Sequence, residues 1–191
     1  MNAVHRVRGW LSAGVLAVGL LATVPGEATV VVPLSRAELV QRSTLVVHAT
    51  VVSRSTAWNA DHSRMLTTTH LNVLAYLSGT GGTTLLLEQF GGAIDGLASR
   101  VEGDAALEPG QEGVFFLRVV DGRAYLTALA QSVYYVTRTP GRAALVRRDL
   151  GGLSFAQPSN GTYVIDGAPL ELAETFEHLL ADIAALARGT R

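Results

Sequence analysis

His48, His62 and His70 fall on or between segments that alternate like neighbouring β-strands, and Asp61 lies beside His62. Imidazole and carboxylate are what zinc takes in a tetrahedral site, so a hairpin that set His48 opposite His70 would need one further ligand. The spacing matches no ligand motif, and nothing of the His-Glu-x-x-His kind occurs. Surface or half-buried histidines account for the residues more simply, and no metal or cofactor is assigned. Covalent chemistry is poorly served: the chain has no cysteine, no Gly-x-Ser-x-Gly elbow, and its serines, histidines and aspartates are scattered. Glu88, Glu102, Glu108 and Glu112 offer carboxylates for acid–base pairs, although Glu108 and Glu112 flank a turn and are expected in solvent.

Two segments carry recognition chemistry instead. Between Ser132 and Asp149 lie Arg138, Arg142, Arg147 and Arg148, close to Tyr134 and Tyr135. Guanidinium groups hold carboxylates or phosphates with two parallel hydrogen bonds, and tyrosines give rigid contact area. The competing account is an exposed edge hairpin whose charges discourage strand-to-strand aggregation. The second segment is Gly91, Gly92 and Gly96, continuing to Gly103 and Gly110. A phosphate cradle would need a helix after the glycines, yet Leu97 to Val101 reads as extended. Glycine turns or bulges at a barrel rim explain the pattern, with partner contact as the alternative.

The elements that must position these residues are mostly strands. Ser35-Arg36-Ala37-Glu38 has the spacing of a capping box and predicts a short helix ending near Ser43. Thr44 to Ser53 is rich in Val and Thr, with apolar residues on both faces, and predicts a strand covered by two layers. Met65 to Leu77 and Thr83 to Phe90 follow as strands. Asp121-Gly122 joins Gln111–Val120 to Arg123–Leu129 as a two-residue hairpin, and Thr139-Pro140-Gly141 turns Ser132–Arg138 into Arg142–Arg148. Asn160-Gly161, formally part of a glycosylation sequon, reads as the turn before a last short strand, Thr162 to Ile165. From Glu171 to Arg188, Leu172, Phe176, Leu179, Ile183 and Leu186 recur at helical spacing, predicting an amphipathic helix over 171–188.

The first 28 residues have a different character. Met1 to Arg8 is basic, Gly9 to Val24 is apolar, and Gly26 and Ala28 are small residues after Pro25. Those are the parts of a secretory signal peptide, expected to be cleaved between Ala28 and Thr29. The apolar run falls short of the ~20 residues a spanning helix needs, and no later run predicts an integral membrane segment. Residues 29–191 then suit one domain. All 15 basic residues are Arg, and the 16 acids outnumber them, so nothing draws the chain to nucleic acid or anionic lipid.

Two stretches carry a family resemblance. The first runs from Val31-Val32-Pro33-Leu34-Ser35 through Glu38-Leu39-Val40 to Ser43-Thr44-Leu45-Val46-Val47. The second is Phe90-Gly91-Gly92-Ala93-Ile94-Asp95-Gly96, then Val101-Glu102-Gly103, Leu107-Glu108-Pro109-Gly110-Gln111-Glu112 and Val114-Phe115-Phe116-Leu117. Together they resemble a group of uncharacterised exported bacterial proteins, which in turn look similar to OB-like β-barrels such as the netrin-like module of metalloproteinase inhibitors. The resemblance implies a barrel, not a mechanism. Inhibitors of that type grip zinc through an N-terminal cysteine, and here the expected new N-terminus is Thr29, so no inhibitory residue carries over.

The sequence therefore predicts a mainly β domain, an OB-like barrel or a β-sandwich, with a short N-terminal helix and an amphipathic C-terminal helix. Its expected role is that of a secreted or periplasmic, non-catalytic binding or accessory module. Candidate contacts are the Arg-Tyr segment and Gly91, Gly92 and Gly96, and the partner class is an exported protease or envelope protein. A small exported hydrolase, metal-assisted or not, is the alternative, and a structural envelope component a third.

Overall fold

The computed structural model describes residues 29–189; the leader and the Ala28 side of the expected cleavage point lie outside the described residues. The chain enters as β1 (Thr29–Val31) and turns into α1 (Arg36–Arg42). The capping box is in place there: Glu38 accepts from the Ser35 backbone N–H at 2.8 Å, and the Ser35 hydroxyl accepts from the Glu38 N–H at 3.3 Å. Both satisfy donors that the first helical turn leaves orphaned.

Two long strands follow, β2 (Leu45–Trp58) and β3 (Met65–Ser78), paired antiparallel from Val46↔Ser78 to Trp58↔Met65. β4 (Thr84–Ile94) and β5 (Leu97–Arg100) are joined by Asp95-Gly96, whose φ values of 52° and 77° make the positive-φ turn that matches strand twist. β6 (Glu112–Val120) and β7 (Arg123–Leu126) are joined in the same way by Asp121-Gly122. β8 (Val133–Thr137), β9 (Leu145–Arg147), β10 (Leu153–Ser159), β11 (Thr162–Gly167), β12 (Glu174–Thr175) and α2 (Phe176–Gly189) complete the described chain.

β2 lies between β3 and β6, β3 pairs with β4, and β7 pairs antiparallel with β6 and parallel with β4 at Leu87↔Ala124. The strands β2, β3, β4, β7 and β6 thus form a ring, closed on its last side by that one parallel contact. β8, β9 and β12 extend the 9-stranded sheet outward from β6. A separate sheet, β1-β10-β11, packs at one side of the ring.

Alternation along β2 and β6 builds two cores. Val47, Ala49, Val51, Phe115 and Leu117 point into the ring with Leu71, Leu87 and Leu107. Val46, Val114 and Phe116 point outward, where Leu39, Val40, Leu179 and Ile183 of the helices cover them. The apolar residues on both faces of β2 are explained by these two layers.

The C-terminal helix begins later than its periodicity predicts. It runs Phe176–Gly189 rather than 171–188. Glu171 is drawn into a two-point bond with Arg148, and Glu174 and Thr175 pair with Val146 and Leu145, so the chain stays extended until Phe176. Leu172 is 80% exposed and belongs to no apolar stripe. Pro158 interrupts the strand pattern of β10 in the sequence; it sits opposite Tyr163, one pair from the Asn160-Gly161 turn and beyond the residues that pair with β1.

Candidate functional site

The Arg-Tyr segment turns out to be mostly internal fastening. Tyr134 is buried, its ring held between the guanidinium groups of Arg36 at 5.5 Å and Arg148 at 5.2 Å. Arg148 donates to both oxygens of Glu171, at 3.0 and 2.5 Å. Arg36 donates to Asp182 at 2.5 Å and to Glu174, which ties α1 to the middle of α2 and to β12. Arg138 donates twice to Glu112, at 2.7 and 2.6 Å, and His48 Nε2 lies 2.6 Å from the same carboxylate. Phe176 packs on His48 and under Arg138. The Arg138 bonds, with help from His48, hold the Glu112 carboxyl below its usual range. Glu112 is therefore not solvated, against expectation. The Tyr135 hydroxyl donates to the Ala106 carbonyl at 2.8 Å, and burial, reinforced by Asp149 and Asp104, pushes its pKa up to about 12. Of this segment only Arg142 and Arg147 remain exposed with no ion-pair partner among the described residues.

The histidines do not converge. His48 pairs with Ala75 and His70 with Ser53, and no group of three possible ligands occurs among the described residues.

What the structure does bring together lies at the open end of the ring, where sequence alone pointed only to glycines. The β2–β3 register shifts between Val51 and Ser53. Such a bulge adds one residue to a strand and turns those beyond it to the other face. Beyond it Thr56 meets the inward-facing Thr67, Oγ1 to Oγ1 at 3.0 Å, and Arg54 and Trp58 share that side. Gly91 and Gly92 complete the rim at φ values of 95° and 139°. A Cβ on Gly92 would stand 2.4 Å from Thr56 Cγ2, and one on Gly91 2.5 Å from the Ser99 carbonyl oxygen. Close backbone approach therefore requires glycine at both positions. Gly96 serves its turn and meets nothing.

These features frame two adjoining cavities that share Phe90, Gly91, Ser99 and Val101. The mouth of the ring, about 310 Å³, is lined by Arg54, Thr67, Gln89, Arg100, Asp104 and Glu108. The second cavity, about 440 Å³, is lined by Trp58, Ser63, Arg64, Met65 and Phe90. At the mouth Gln89 Nε2 donates to the Ala105 carbonyl at 2.9 Å, while its Oε1 is buried with no partner, as is Thr69 Oγ1 one inward position further along β3. Asp104 accepts from the Ala105 N–H at 2.9 Å. Burial pushes its carboxyl above the usual range despite that bond and the nearby Gln89 and Arg100. Arg54 pairs with Glu108 at 2.9 Å. On the aromatic side Arg64 lies 5.9 Å over Phe90, and Trp58 stacks on His62 at 6.5 Å. The loop between them is stiffened by Asn59, whose Oδ1 accepts from the Ser63 and Arg64 N–H groups at 2.9 Å each.

This is a mainly β protein whose partly closed ring opens onto a polar mouth beside an aromatic shelf. No protein-family model matches the chain, and no curated protein is significantly similar to it. Among the described residues no helix is long and apolar enough to cross a membrane.

Proposed function

We propose that the chain is an exported, non-catalytic recognition module on an OB-like barrel, and that it meets its partner with the open end of the ring. The OB plan is a five-stranded, partly open Greek-key barrel, and β2, β3, β4, β7 and β6 fit it in number and partial closure. One observation carries the recognition reading: Phe90 is 51% exposed and borders two cavities, next to the glycine backbone of the rim. Aromatic side chains, Phe among them, are enriched at recognition surfaces relative to the rest of a protein's surface. The Arg-Tyr segment supports the same choice by exclusion, since most of its groups are spent inside the fold. Of the groups offered for the hydrolase alternative, His48 and Glu112 are engaged with each other and with Arg138 and Phe176. An envelope component or exported protease remains the proposed partner class.

Expression in a secreting bacterial host tests the proposal. The exported product should begin at Thr29. A photoreactive phenylalanine analogue at position 90 should capture an envelope or exported component, and the same analogue at exposed Val119 should not. Turnover of ester or peptide substrates, with or without zinc, that disappears in His48→Gln or Glu112→Gln would overturn the non-catalytic reading.

A further inference from the structure

We propose that the segment 168–173 is a protease-binding loop. It enters the cleft of a serine endoprotease that reads a large apolar residue, with Leu170 in the primary pocket and the Leu170–Glu171 peptide bond at the catalytic serine. This takes up the exported-protease class proposed above and gives it a surface of its own, since none of these residues lines the mouth or the shelf.

The segment links β11 to β12 and belongs to no helix, strand or turn. Pro169 fixes its own φ and keeps Ala168 extended. Every residue in the segment is exposed except Glu171. Leu170 and Leu172, 87% and 80% exposed, are the two most exposed large apolar side chains among the described residues. Glu171 between them turns inward, which is the alternation of an extended backbone. Extended peptides dock through main-chain hydrogen bonds, with pockets for alternate side chains. A backbone outside any ladder, with leucines pointing out, meets both requirements.

What separates a bound loop from a cleaved one is how firmly it is held. Arg148 donates to both Glu171 oxygens at 3.0 and 2.5 Å, and the two side chains are only 15% and 19% exposed. The Arg148 guanidinium lies against the Tyr134 ring, which also carries Arg36, and Arg36 in turn holds Glu174. Upstream, Gly167 pairs with Ser154; downstream, Glu174 pairs with Val146. Both sides of the Leu170–Glu171 bond are thus fixed independently of that bond. Holding a loop in its bound form raises affinity by removing the cost of ordering it.

The same anchor sets the chemistry. As the serine oxygen bonds to the Leu170 carbonyl carbon, the C–N bond to Glu171 breaks, and the serine proton passes through the enzyme's histidine to the Glu171 nitrogen. That amine cannot leave while Arg148 holds the Glu171 carboxylate. It attacks the acyl carbon, returns the proton to the serine and restores the peptide bond ahead of water. The held residue must therefore follow the cut bond. Glu171 is held and the exposed Ala173 is not, so Leu170 rather than Leu172 fills the pocket. A lipid surface is the other place for exposed leucines, but the segment has no Arg to meet headgroups and exposed Asp166 precedes it.

The test titrates the full chain into chymotrypsin and subtilisin, with a chromogenic peptide as reporter and trypsin as the enzyme that reads basic residues. Saturable inhibition of the first two is expected, with trypsin unaffected and the chain recovered whole or nicked once, between Leu170 and Glu171. Leu170→Gly should weaken inhibition about thirtyfold or more, and Tyr163→Ala, at another exposed position, should leave it unaltered. Glu171→Gln, which loosens the anchor, should keep the parent circular dichroism yet be cut at that bond about tenfold faster or more. No inhibition at high micromolar concentration, or rapid cleavage without inhibition, would overturn the proposal, as would inhibition that survives Leu170→Gly. Leu170-dependent binding to phosphatidylcholine vesicles without inhibition would assign the leucines to lipid instead. Photocapture at position 90 does not pass through Leu170, so the open-end reading and this one can fall separately.

Discussion

Two carboxyls near the ring have opposite leanings, and each predicts its own pH dependence. Glu112 is held below its ordinary pKa of 4.5, first by the Arg138 hydrogen bonds and then by His48. A depressed carboxyl stabilises the fold above its unfolded pKa, and that contribution fades as pH falls through the lower folded value. Glu112→Gln should therefore lower the urea midpoint at pH 7 and differ little from the parent well below pH 4.5; an equal deficit at both pH values would detach the effect from ionisation. Asp104 leans the other way, pushed above 3.8 by burial. Its charged form is a burden to the folded state, present above the folded pKa and absent below 3.8. Asp104→Asn, which keeps the acceptor for the Ala105 N–H, should stabilise the protein at pH 7 and lose that gain in acid. A fold that retains such a burden at a cavity mouth is consistent with a functional role there.

The secondary elements show which residue patterns can be read in one dimension. Positive-φ pairs such as Asp95-Gly96 and Asp121-Gly122 announce themselves, because few other residues fit their backbone. The two faces of β2 were also legible, because its Val-rich run places apolar residues on both sides of the strand. The start of α2 was not: Leu172 sits at helical spacing from Phe176, and only the distant Arg148 and β9 keep the intervening chain extended. Leu172→Ala should change stability by less than about 0.5 kcal/mol. Leu179→Ala and Ile183→Ala, at fully buried positions, should each cost about 2–5 kcal/mol in chemical denaturation. The open end was hidden for a related reason, since the bulge at Val52 becomes visible only once β3 fixes the register. Gly91 and Gly92 were its one signal. Gly96→Ala, strained but unobstructed, should cost roughly 1 kcal/mol. Gly92→Ala should cost more, because its Cβ would press on Thr56; equal losses would mean the rim is looser than described.

At the scale of the whole molecule, covered and uncovered sheet are sharply divided. The first halves of β2 and β6 are walled on one side by the ring interior and on the other by both helices, so their amides open only when the two cores separate. The β1-β10-β11 sheet touches the ring mainly through Leu153 and Phe155, and β11 is exposed along its whole length, including Tyr163, Val164 and Ile165. Local opening energies follow how much apolar contact an element must give up. In native-state hydrogen exchange, Val46–Ala49 and Val114–Leu117 should therefore exchange at the global unfolding energy, rising and falling with denaturant like the whole protein. Thr162–Gly167 should exchange several orders of magnitude faster, with little denaturant dependence. The rim around Gly91 and Ser99 should fall between these limits, since β5 is a short free edge. If β11 were as slow as β2, its exposed face would have to be covered in solution, and concentration-dependent protection would identify a second copy of the chain as the cover.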